Sequence, residues 1–443
     1  MLNVLDGGVD SLTEVPGTTE GQAIYDLVAE LFPLPRSITG DGVRATLAIV
    51  GREIPLTVHE VPSGTPVLDW TVPPEWNLRA AWIVGPDGNR VLDATDNNLH
   101  VVGYSEPLHR RMPLAELREH VHTLPDRPAW IPYRTSYYTR TWGFCMAAQA
   151  LDALEDGEYE VCIDATFDDE GALSYGELVL PGATDAEILV STHVCHPSLA
   201  NDNGSGIAVA TKLAQHLADR PDRRHTFRFL FVPGTIGSIT WLAQHDDETA
   251  RIAHGLVLTG LGDRGPITYK RSRRGAAAVD RAAEHVLGAT DDGARIVDFS
   301  PYGYDERQYC SPGYNLAVGR FGRSPHGEYP QYHTSADDLS FIDPVMLEDS
   351  LRKIVAIVDV LERDATFRNL KPKGEPQLGR RGLYRATGGD VDHRSTEMAF
   401  LWVLNLSDGS ASLLDIARRS GLPFDAVHRA ALLLERHDLL ERR

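Results

Sequence analysis

The segment STHVCHPSLANDNGSG, which spans Ser191–Gly206, concentrates side chains that can bind a metal ion. His193 and His196 are three residues apart, and Asp202 follows six residues after His196. Neutral imidazole and carboxylate groups together suit zinc. The same side chains could instead cap a strand end and the next helix, because aspartate and asparagine are favoured N-cap residues. This segment alone leaves both interpretations open.

Three further segments carry residues of the same ligand types. YPQYHTSADDLSFI contains His333, YGYDERQYCSPG contains Asp305 and Glu306, and VLTGLGDRG has Asp263 after an apolar run. Loops at the carboxyl ends of neighbouring strands commonly bring ligands from distant parts of a sequence to one site. Together, the segments favour a metal site over separate capping roles.

The elements that must position these residues form an alternating pattern. EILVSTHVC and TFRFLFVPG are short apolar runs typical of strands, and SGIAVATKLAQHLAD between them has helical periodicity. The order strand, helix, strand predicts a parallel sheet with helices on its faces. The metal-ligand segment then lies at the carboxyl end of a strand, where open α/β sheets bind their ligands.

Changes in these patterns divide the chain into three regions. Short alternating runs, punctuated by glycine, proline and aspartate, predict a small β-rich domain inserted at residues 56–126. Residues 1–55 and 127–368 then form the catalytic α/β domain. After a connection rich in glycine and proline, three helical patterns predict a winged-helix domain at residues 376–443.

Composition narrows the classes of function. The formal net charge of −20 over 443 residues argues against nucleic acid or an anionic membrane as the main partner, because both would repel such a surface. No window approaches the roughly 18 apolar residues that a membrane span requires. The four cysteines are scattered and form no CxxC pair, which fits a reducing compartment. We expect a cytoplasmic protein without a nucleic-acid or membrane partner.

Several long phrases of the chain resemble a known superfamily. They are LFPLPRSITGDGVR, VHEVPSGTPVLDWTVPPEWN, STHVCHPSLANDNGSG, YKRSRRG, YGYDERQYCSPG and YPQYHTSADDL. From about residue 20 to the carboxyl terminus the chain resembles the zinc aminopeptidases, and among them aminopeptidase-like proteins with a β insertion and a C-terminal winged helix. The resemblance implies a phosphorylase/hydrolase-like α/β fold, with a mixed sheet flanked by helices.

The resemblance also implies an activity and a set of metal ligands. Zinc aminopeptidases hydrolyse amides with a zinc-activated water molecule, while a carboxylate accepts the proton. The implied substrate is a small peptide or an amino-acyl amide. By motif, His193 matches the first histidine ligand, NDNGSG the shared aspartate, Asp263 a further acidic ligand and His333 the closing histidine.

The shared aspartate departs from the superfamily pattern. Many zinc aminopeptidases have two consecutive aspartates there, and the first bridges two metal ions, whereas this chain has Asn201 followed by Asp202. Asparagine is a weaker, neutral ligand, so either Asp202 is the ligand or a single metal ion binds. His196 could supply a missing ligand. We expect one or two zinc ions and favour one, held by some of His193, His196, Asp202 and His333.

The general base also departs from the pattern. Zinc aminopeptidases carry a glutamate after the strand that here reads TFRFLFV, but this chain has Gly234. Glycine cannot accept a proton, so we expect Glu306 or Asp305 to act as the catalytic base, with Glu306 the first candidate. The alternative is a catalytically weak or repurposed relative that uses the metal pocket for binding.

Residues near the predicted metal site could bind the substrate. YKRSRRG follows the Asp263 loop, so one or two of its cations could bind a carboxylate or a phosphate, and the rest could form a solvated charge run. We predict Arg271, Arg273 and Tyr304 as substrate-binding residues.

The C-terminal region raises the question of DNA binding, because winged helices are common DNA-binding domains. From Ser407 to Arg443 there are six acidic and six basic residues, so no basic footprint is present. An acid, Asp425, stands at the start of the helix that would read bases. We therefore expect a packing role, with a homo-oligomer formed through this domain as a possible assembly.

Overall fold

The computed structural model describes residues 19–290, 292–383 and 391–443. These residues divide into two compact units. The first is drawn from Met1–Arg274 and Arg295–Arg352, and the second from Gly275–Ala294 and Lys353–Arg443.

The α-helices are numbered in chain order. They are α1 (Thr19–Leu31), α2 (Asp41–Glu53), α3 (Leu114–Arg118), α4 (Ala148–Asp152), α5 (Gly206–Ala218), α6 (Ile236–Gln244), α7 (Ala278–Gly288), α8 (Glu306–Tyr309), α9 (Pro344–Arg363), α10 (Val391–Leu406), α11 (Leu413–Ser420) and α12 (Phe424–Arg436).

The strands are numbered in the same way. They are β1 (Thr57–Pro62), β2 (Pro66–Val67), β3 (Trp70–Thr71), β4 (Glu75–Val84), β5 (Arg90–Asp93), β6 (Leu108–Pro113), β7 (Val121–His122), β8 (Phe144–Cys145), β9 (Glu158–Asp168), β10 (Ala172–Leu180), β11 (Glu187–His193), β12 (Thr226–Val232), β13 (Ile252–Leu258), β14 (Thr268–Lys270), β15 (Arg295–Val297), β16 (Val318–Gly322), β17 (Thr366–Asn369), β18 (Asp408–Ser412) and β19 (Leu440–Arg442).

A large mixed sheet forms the centre of the first unit. Its strand order is β1-β10-β12-β11-β13-β16-β14-β15. The central strands β12, β11, β13 and β16 are parallel, whereas β1, β10 and β14 each pair antiparallel with a neighbour. Every residue of β11 is buried, as expected for a parallel strand that is covered on both faces.

The helix that follows the metal-ligand segment packs directly on this sheet. The α5 helix contacts β11, β12 and β13, and α1 packs against α5. Small and aliphatic residues line the buried face of α5, which lets the helix lie close to the strands. The predicted strand, helix, strand order around the metal-ligand segment is therefore present as β11, α5 and β12.

A smaller antiparallel sheet, in the order β5-β4-β9-β6, lies in the same unit. Its strand β9 comes after the predicted boundary at residue 126, and β1, which lies within the predicted insertion, joins the large sheet instead. The predicted limits of the insertion thus differ from the edges of the small sheet. Strand pairing joins residues far apart in sequence, and local alternation does not report it. Residues from both sheets form one hydrophobic core.

The second unit combines several helices with a small sheet. Its strand order is β18-β17-β19, and α10, α11 and α12 pack against one another. The α11 helix begins at a capping box, in which the Asp415 backbone N–H donates to Ser412 Oγ at 3.2 Å. It ends at Gly421, whose φ of 71° is a left-handed conformation that glycine adopts without strain. The α7 helix also belongs to this unit, although we predicted residues 278–288 as part of the catalytic domain.

Within the described ranges, no helix is both long and apolar enough to cross a membrane.

Candidate metal centre and active site

His193 is the last residue of β11, so the sheet fixes its position. It pairs with Val232 of the parallel strand β12, and its side chain is almost completely buried. Its Nε2 atom lies 3.0 Å from Oδ1 of Asp202. The predicted location at the carboxyl end of a strand is the one observed.

Asp202 lies in a wide helical turn, Ala200–Ser205, between β11 and α5. The peptide bond between Asp202 and Asn203 is cis. The Asp337 carboxylate accepts the backbone N–H groups of Asn201 at 2.6 Å and of Asp202 at 2.9 Å. Burial raises the pKa of Asp337 to about 8, despite these two donors. Asp337 thus links the His333 segment to the turn and orients the Asp202 carboxylate.

Asn203 holds the turn from the other side. Its Nδ2 donates to Thr192 Oγ1 at 2.8 Å and to the His193 carbonyl at 3.1 Å. Gly206 is required next to it, because a Cβ atom there would lie 2.3 Å from Asn203 Oδ1. The NDNGSG phrase therefore encodes the turn as well as a ligand.

His333 reaches the centre from a loop remote in sequence. It has a positive φ of 55°, and its carbonyl accepts the Tyr133 backbone N–H at 2.8 Å. Its Nε2 atom lies 3.1 Å from Oδ2 of Asp202, the oxygen that does not face His193. The two histidines therefore approach opposite oxygens of one carboxylate.

His196 completes the cluster. Its ring centroid lies 4.7 Å from that of His193 and 5.2 Å from that of His333. The buried Arg36 donates from Nε to the His196 carbonyl at 2.7 Å, which fixes this loop. Arg36 belongs to the LFPLPRSITG phrase, for which sequence reasoning gave no role.

The cluster fits a divalent metal ion. The ligand atoms of His193, His196 and Asp202 lie within 4.8 Å of one another. Asp202 Oδ2 and His333 Nε2 are buried and lie 3.1 Å apart, but their angles do not form a hydrogen bond and neither atom has another partner. Buried polar atoms are normally paired. Burial alone would raise the pKa of Asp202, but His196, His193 and His333 outweigh it and hold the pKa well below its usual range. Burial lowers the pKa of His196, so its imidazole is neutral, as a metal ligand must be.

Asp263, predicted as a further acidic ligand, lies outside this cluster. Its carboxylate accepts hydrogen bonds from Asn201 Nδ2 at 3.0 Å, from the Gly265 backbone N–H at 2.7 Å and from Ser324 Oγ at 2.6 Å. These donors occupy both of its oxygens. Position after a strand does not tell whether a carboxylate meets a metal ion or, as for Asp263 here, hydrogen-bond donors of the protein.

Glu306, the first candidate for the general base, is committed to an ion pair. Its Oε1 lies 2.6 Å from Lys270 Nζ, and both side chains are buried. Lys270 belongs to the YKRSRRG phrase and also donates to the Tyr302 carbonyl at 2.9 Å. A carboxylate that neutralises a buried ammonium group is poorly placed to accept a proton from water. Glu306 therefore has a structural role, as the counter-charge of Lys270.

Asp305, the second candidate, lies beside Gly234. A Cβ atom at Gly234 would lie 3.4 and 3.6 Å from the two Asp305 oxygens and 3.1 Å from His193 Cβ. Ser238 Oγ donates to Asp305 Oδ1 at 3.0 Å, whereas the buried Oδ2 atom has no partner. Burial raises the pKa of Asp305 to about 6, while His193 and Ser238 act in the opposite direction. Asp305 therefore presents a carboxylate next to the position that lacks the expected glutamate.

The predicted substrate-binding residues separate into two groups. The Tyr304 ring stacks on His193 with 5.3 Å between centroids, so Tyr304 belongs to the site. Arg271 forms an ion pair with Asp298, and Arg273 donates to Asn315 Oδ1 at 2.9 Å. The latter two cations engage neighbouring surface groups, which agrees with the solvated charge run that we considered for YKRSRRG.

A cavity of about 380 Å³ opens beside the metal cluster, and we call it the aromatic cavity. His196, His333 and Gly234 contribute to its wall. The residues that sequence reasoning missed are Trp70, Tyr133, Arg134, Tyr137, Tyr138 and Arg307. Four of them belong to the run YRTSYY at 133–138, whose density of aromatic residues was the available signal.

Comparison with known proteins agrees with this architecture. A family model described as a domain of unknown function, DUF4910, matches residues 25–364, and a winged helix-turn-helix model matches residues 365–442. A protein of Clostridium acetobutylicum is 47% identical over 421 residues, which cover 95% of this chain and 96% of that protein. It is provisionally described as a polysaccharide biosynthesis protein with an aminopeptidase-like domain.

Two solved structures show the same fold. A protein of Clostridium acetobutylicum, provisionally described as a peptidase, is 46% identical, covers 96% of each chain and has a TM-score of 0.90. BSAP, a zinc aminopeptidase from Bacillus subtilis, is 12% identical, covers 78% of this chain and 96% of its own, and has a TM-score of 0.56. The predicted fold class, an aminopeptidase-like mixed α/β domain with a C-terminal winged helix, is confirmed. Because the DUF4910 model matches most of its length, this chain belongs to the DUF4910 family, with an aminopeptidase-like domain followed by a winged helix-turn-helix.

Proposed function

We propose that this protein is a metal-dependent amide hydrolase that acts on a small peptide or an amino-acyl amide. One observation carries the proposal. The Asp202 carboxylate lies between His193 and His333, with His196 beside them, and the facing atoms Asp202 Oδ2 and His333 Nε2 are buried without hydrogen-bond partners. Atoms left in this state are those that a shared metal ion would bind.

Zinc is the ion that best matches these residues. Imidazole and carboxylate groups are ligand types typical of zinc, and three of these four side chains suffice for a single ion that keeps one position open for water. When bound, zinc acts as a Lewis acid that polarises the scissile carbonyl group and makes a water molecule more acidic. Asp337 and Arg36 keep the ligands in position through the backbone of the turn and of the His196 loop.

Asp305 is our candidate for the general base. Its Oδ2 atom has no hydrogen-bond partner, and Ser238 Oγ fixes the other oxygen. Because Gly234 carries no side chain, nothing at that position separates Asp305 from His193. Asp305 would accept the proton of the attacking water and later transfer it to the leaving amine. This assignment exchanges the order of our two candidates, since Glu306 is held by Lys270.

A second candidate function is binding without efficient turnover. Gly234 stands where zinc aminopeptidases carry their glutamate, and a missing general base costs roughly 10² to 10⁴ in rate. If Asp305 does not replace it, the metal cluster and the aromatic cavity would serve to hold a ligand. A screen of amino-acyl anilides and dipeptides with the zinc-loaded protein separates the two functions, because only the hydrolase releases amine.

The C-terminal unit is proposed as a packing module without DNA-binding activity. Asp425 of α12 forms an ion pair with Arg363 at 2.7 Å, and Arg418 of α11 pairs with Glu284 at 2.5 Å. Cations held by carboxylates are less available to phosphates. Salt-dependent binding of duplex DNA by the whole chain would contradict this proposal.

Metal analysis tests the main proposal. The purified protein should contain close to one zinc ion per chain by mass spectrometry, and His333→Ala should lose most of it. His326→Ala is the matched control, because His326 also contacts Tyr332 but lies outside the metal cluster. A folded His333→Ala protein that retains its full metal content would refute the ligand assignment.

A further inference from the structure

The aromatic cavity has an unusual charge for this protein. The chain carries a formal net charge of −20, yet none of the described residues that line the cavity is acidic. Two arginines, Arg134 and Arg307, line it together with histidines of the metal cluster. A positive cavity within an acidic protein attracts anions selectively, because the remaining surface repels them.

Arg307 is the more informative of the two arginines. Its Nε atom is buried and has no hydrogen-bond partner, and its guanidinium forms no ion pair among the described residues. Of the two preceding carboxylates, Glu306 is paired with Lys270, and Asp305 acts on Arg307 only through space, without an ion pair. Arg307 as a whole is half-buried. An anionic ligand in the cavity would therefore gain a charge-assisted, partly desolvated contact with its guanidinium.

Arg134 supplies a second cation from a different segment. Its side chain is exposed and forms no ion pair among the residues that the structure describes. The neighbouring Tyr133 donates its backbone N–H to the His333 carbonyl at 2.8 Å, so this segment is fixed to the metal-ligand loop. The backbone that carries Arg134 is therefore fixed relative to the metal cluster.

Aromatic rings provide the remaining wall. Trp70 and Tyr138 have ring centroids 5.6 Å apart, and each is about half exposed, at 48% and 49%. Tyr133 and Tyr137 lie deeper, and their hydroxyl oxygens are 3.4 Å apart. Exposed flat rings beside cations suit a ligand that combines a ring with an anionic group.

We propose that the ligand of this site carries an oxyanion, a carboxylate or a phosphate, on the part that occupies the aromatic cavity, and that Arg307 selects it. Arg134 adds a weaker, solvent-screened attraction. The proposal deepens the proposed function, because it names the class of substrate that would reach the metal cluster. It can nevertheless be tested by binding alone.

Three probes that share a phenyl ring separate charge from shape. Benzoate and phenyl phosphate are anionic, whereas benzamide is neutral, and calorimetry measures their binding to the zinc-loaded protein. We expect at least one of the two anions to bind at least ten-fold more tightly than benzamide. The stronger of the two identifies the oxyanion as carboxylate or phosphate. Benzamide that binds as tightly as both anions would overturn the proposal.

Variants then assign the selectivity to Arg307. Arg307→Met should weaken the anions at least ten-fold and leave benzamide unchanged, because a charge-assisted bidentate contact is lost. Arg307→Lys should recover part of the affinity, since it keeps the charge without the fork geometry. Arg134→Met should have a smaller effect. Arg273→Met is the matched control, because it removes the same charge from an exposed side chain bound to Asn315. Equal effects of Arg307→Met and Arg273→Met would overturn the assignment.

The metal ion itself could attract an anion, and a parallel measurement distinguishes this case. After chelation of zinc, binding that still depends on Arg307 supports the cavity as the anion site. Anion binding that is lost on removal of zinc and is unchanged by Arg307→Met contradicts the assignment of the cavity as the anion site. A protein that binds anions through Arg307 but hydrolyses no amide would refute only the proposed function. A hydrolase indifferent to the charge of its substrates and to Arg307→Met would refute only the present inference.

Discussion

Asp305 and Glu306 are adjacent carboxylates with opposite expected roles, and exchanging each for its amide separates them. Glu306 is fully buried, and its ion pair with Lys270 measures 2.6 Å. Glu306→Gln leaves a buried ammonium group without its counter-charge, which typically destabilises a protein by about 3–5 kcal/mol. Because native domains are stable by only about 5–15 kcal/mol, this loss should lower the thermal unfolding temperature clearly.

Asp305→Asn should instead leave the stability nearly unchanged and lower the catalytic rate. Asp305 Oδ2 has no hydrogen-bond partner, and Ser238 Oγ can still donate to the amide oxygen. Stability should therefore change by less than about 1 kcal/mol. If Asp305 is the general base, the rate should fall roughly 10² to 10⁴-fold, which corresponds to about 3–5 kcal/mol of transition-state stabilisation.

The assay compares three quantities for each variant: kcat/KM on an amino-acyl anilide, zinc content and the free energy of unfolding. Activity is expressed per folded, zinc-loaded molecule, so that destabilised Glu306→Gln is not mistaken for a catalytic variant. Lys270→Met combined with Glu306→Gln is the control, since removing both members of a buried pair often restores stability. The reasoning is refuted if an active wild-type enzyme is insensitive to Asp305→Asn, or if folded Glu306→Gln loses 100-fold or more in rate.

Three further predictions address the metal-ligand turn, Gly234 and acid stability. Asp337→Ala should weaken zinc binding roughly 10- to 100-fold in a metal titration, because two backbone N–H groups of the turn lose their acceptor; an unchanged affinity would contradict this. Gly234→Glu alone should not raise amidase activity, because its Cβ atom would lie 3.4 Å from the Asp305 carboxylate. In the double variant with Asp305→Asn, Gly234→Glu should recover part of the rate that Asp305→Asn removes. A higher rate for Gly234→Glu alone would contradict this prediction. Arg44 holds the pKa of Glu75 at about 2, below the ordinary 4.5. The loss of unfolding free energy caused by Arg44→Met should therefore be largest above pH 4.5 and should shrink as the pH falls towards 2 in urea unfolding experiments. A loss that does not depend on pH would contradict the assignment.

Much of the fold follows from local patterns in the sequence. The buried run that ends at His193 and the helical periodicity after Gly206 are properties of neighbouring residues, so they predict β11 and α5 directly. The capping box at Ser412 and the glycine at position 421 bound α11 in the same local way. The limits of the inserted domain were not readable, because β9 pairs with β4 across more than 70 residues of sequence.

Part of the metal cluster was also predictable from local sequence. His193, His196 and Asp202 are close in sequence, so their types and spacing alone indicate a shared ligand role. His333 could be added only through its motif, because more than 100 residues separate it from Asp202. The sequence by itself thus determined which strand end carries the ligands and which residue types are available there.

Only the tertiary structure decided which carboxylates are free to act. Asp263, Glu306 and Asp305 are all carboxylates in the sequence. In the structure, however, backbone and side-chain donors occupy Asp263 and Lys270 neutralises Glu306. The Nε atom of the neighbouring Arg307 has no hydrogen-bond partner. The chemical role of a charged side chain depends on the donors, charges and solvent within a few ångströms of it. Those neighbours come from separate strands and loops, and their proximity is set by the packing of the sheet rather than by local sequence.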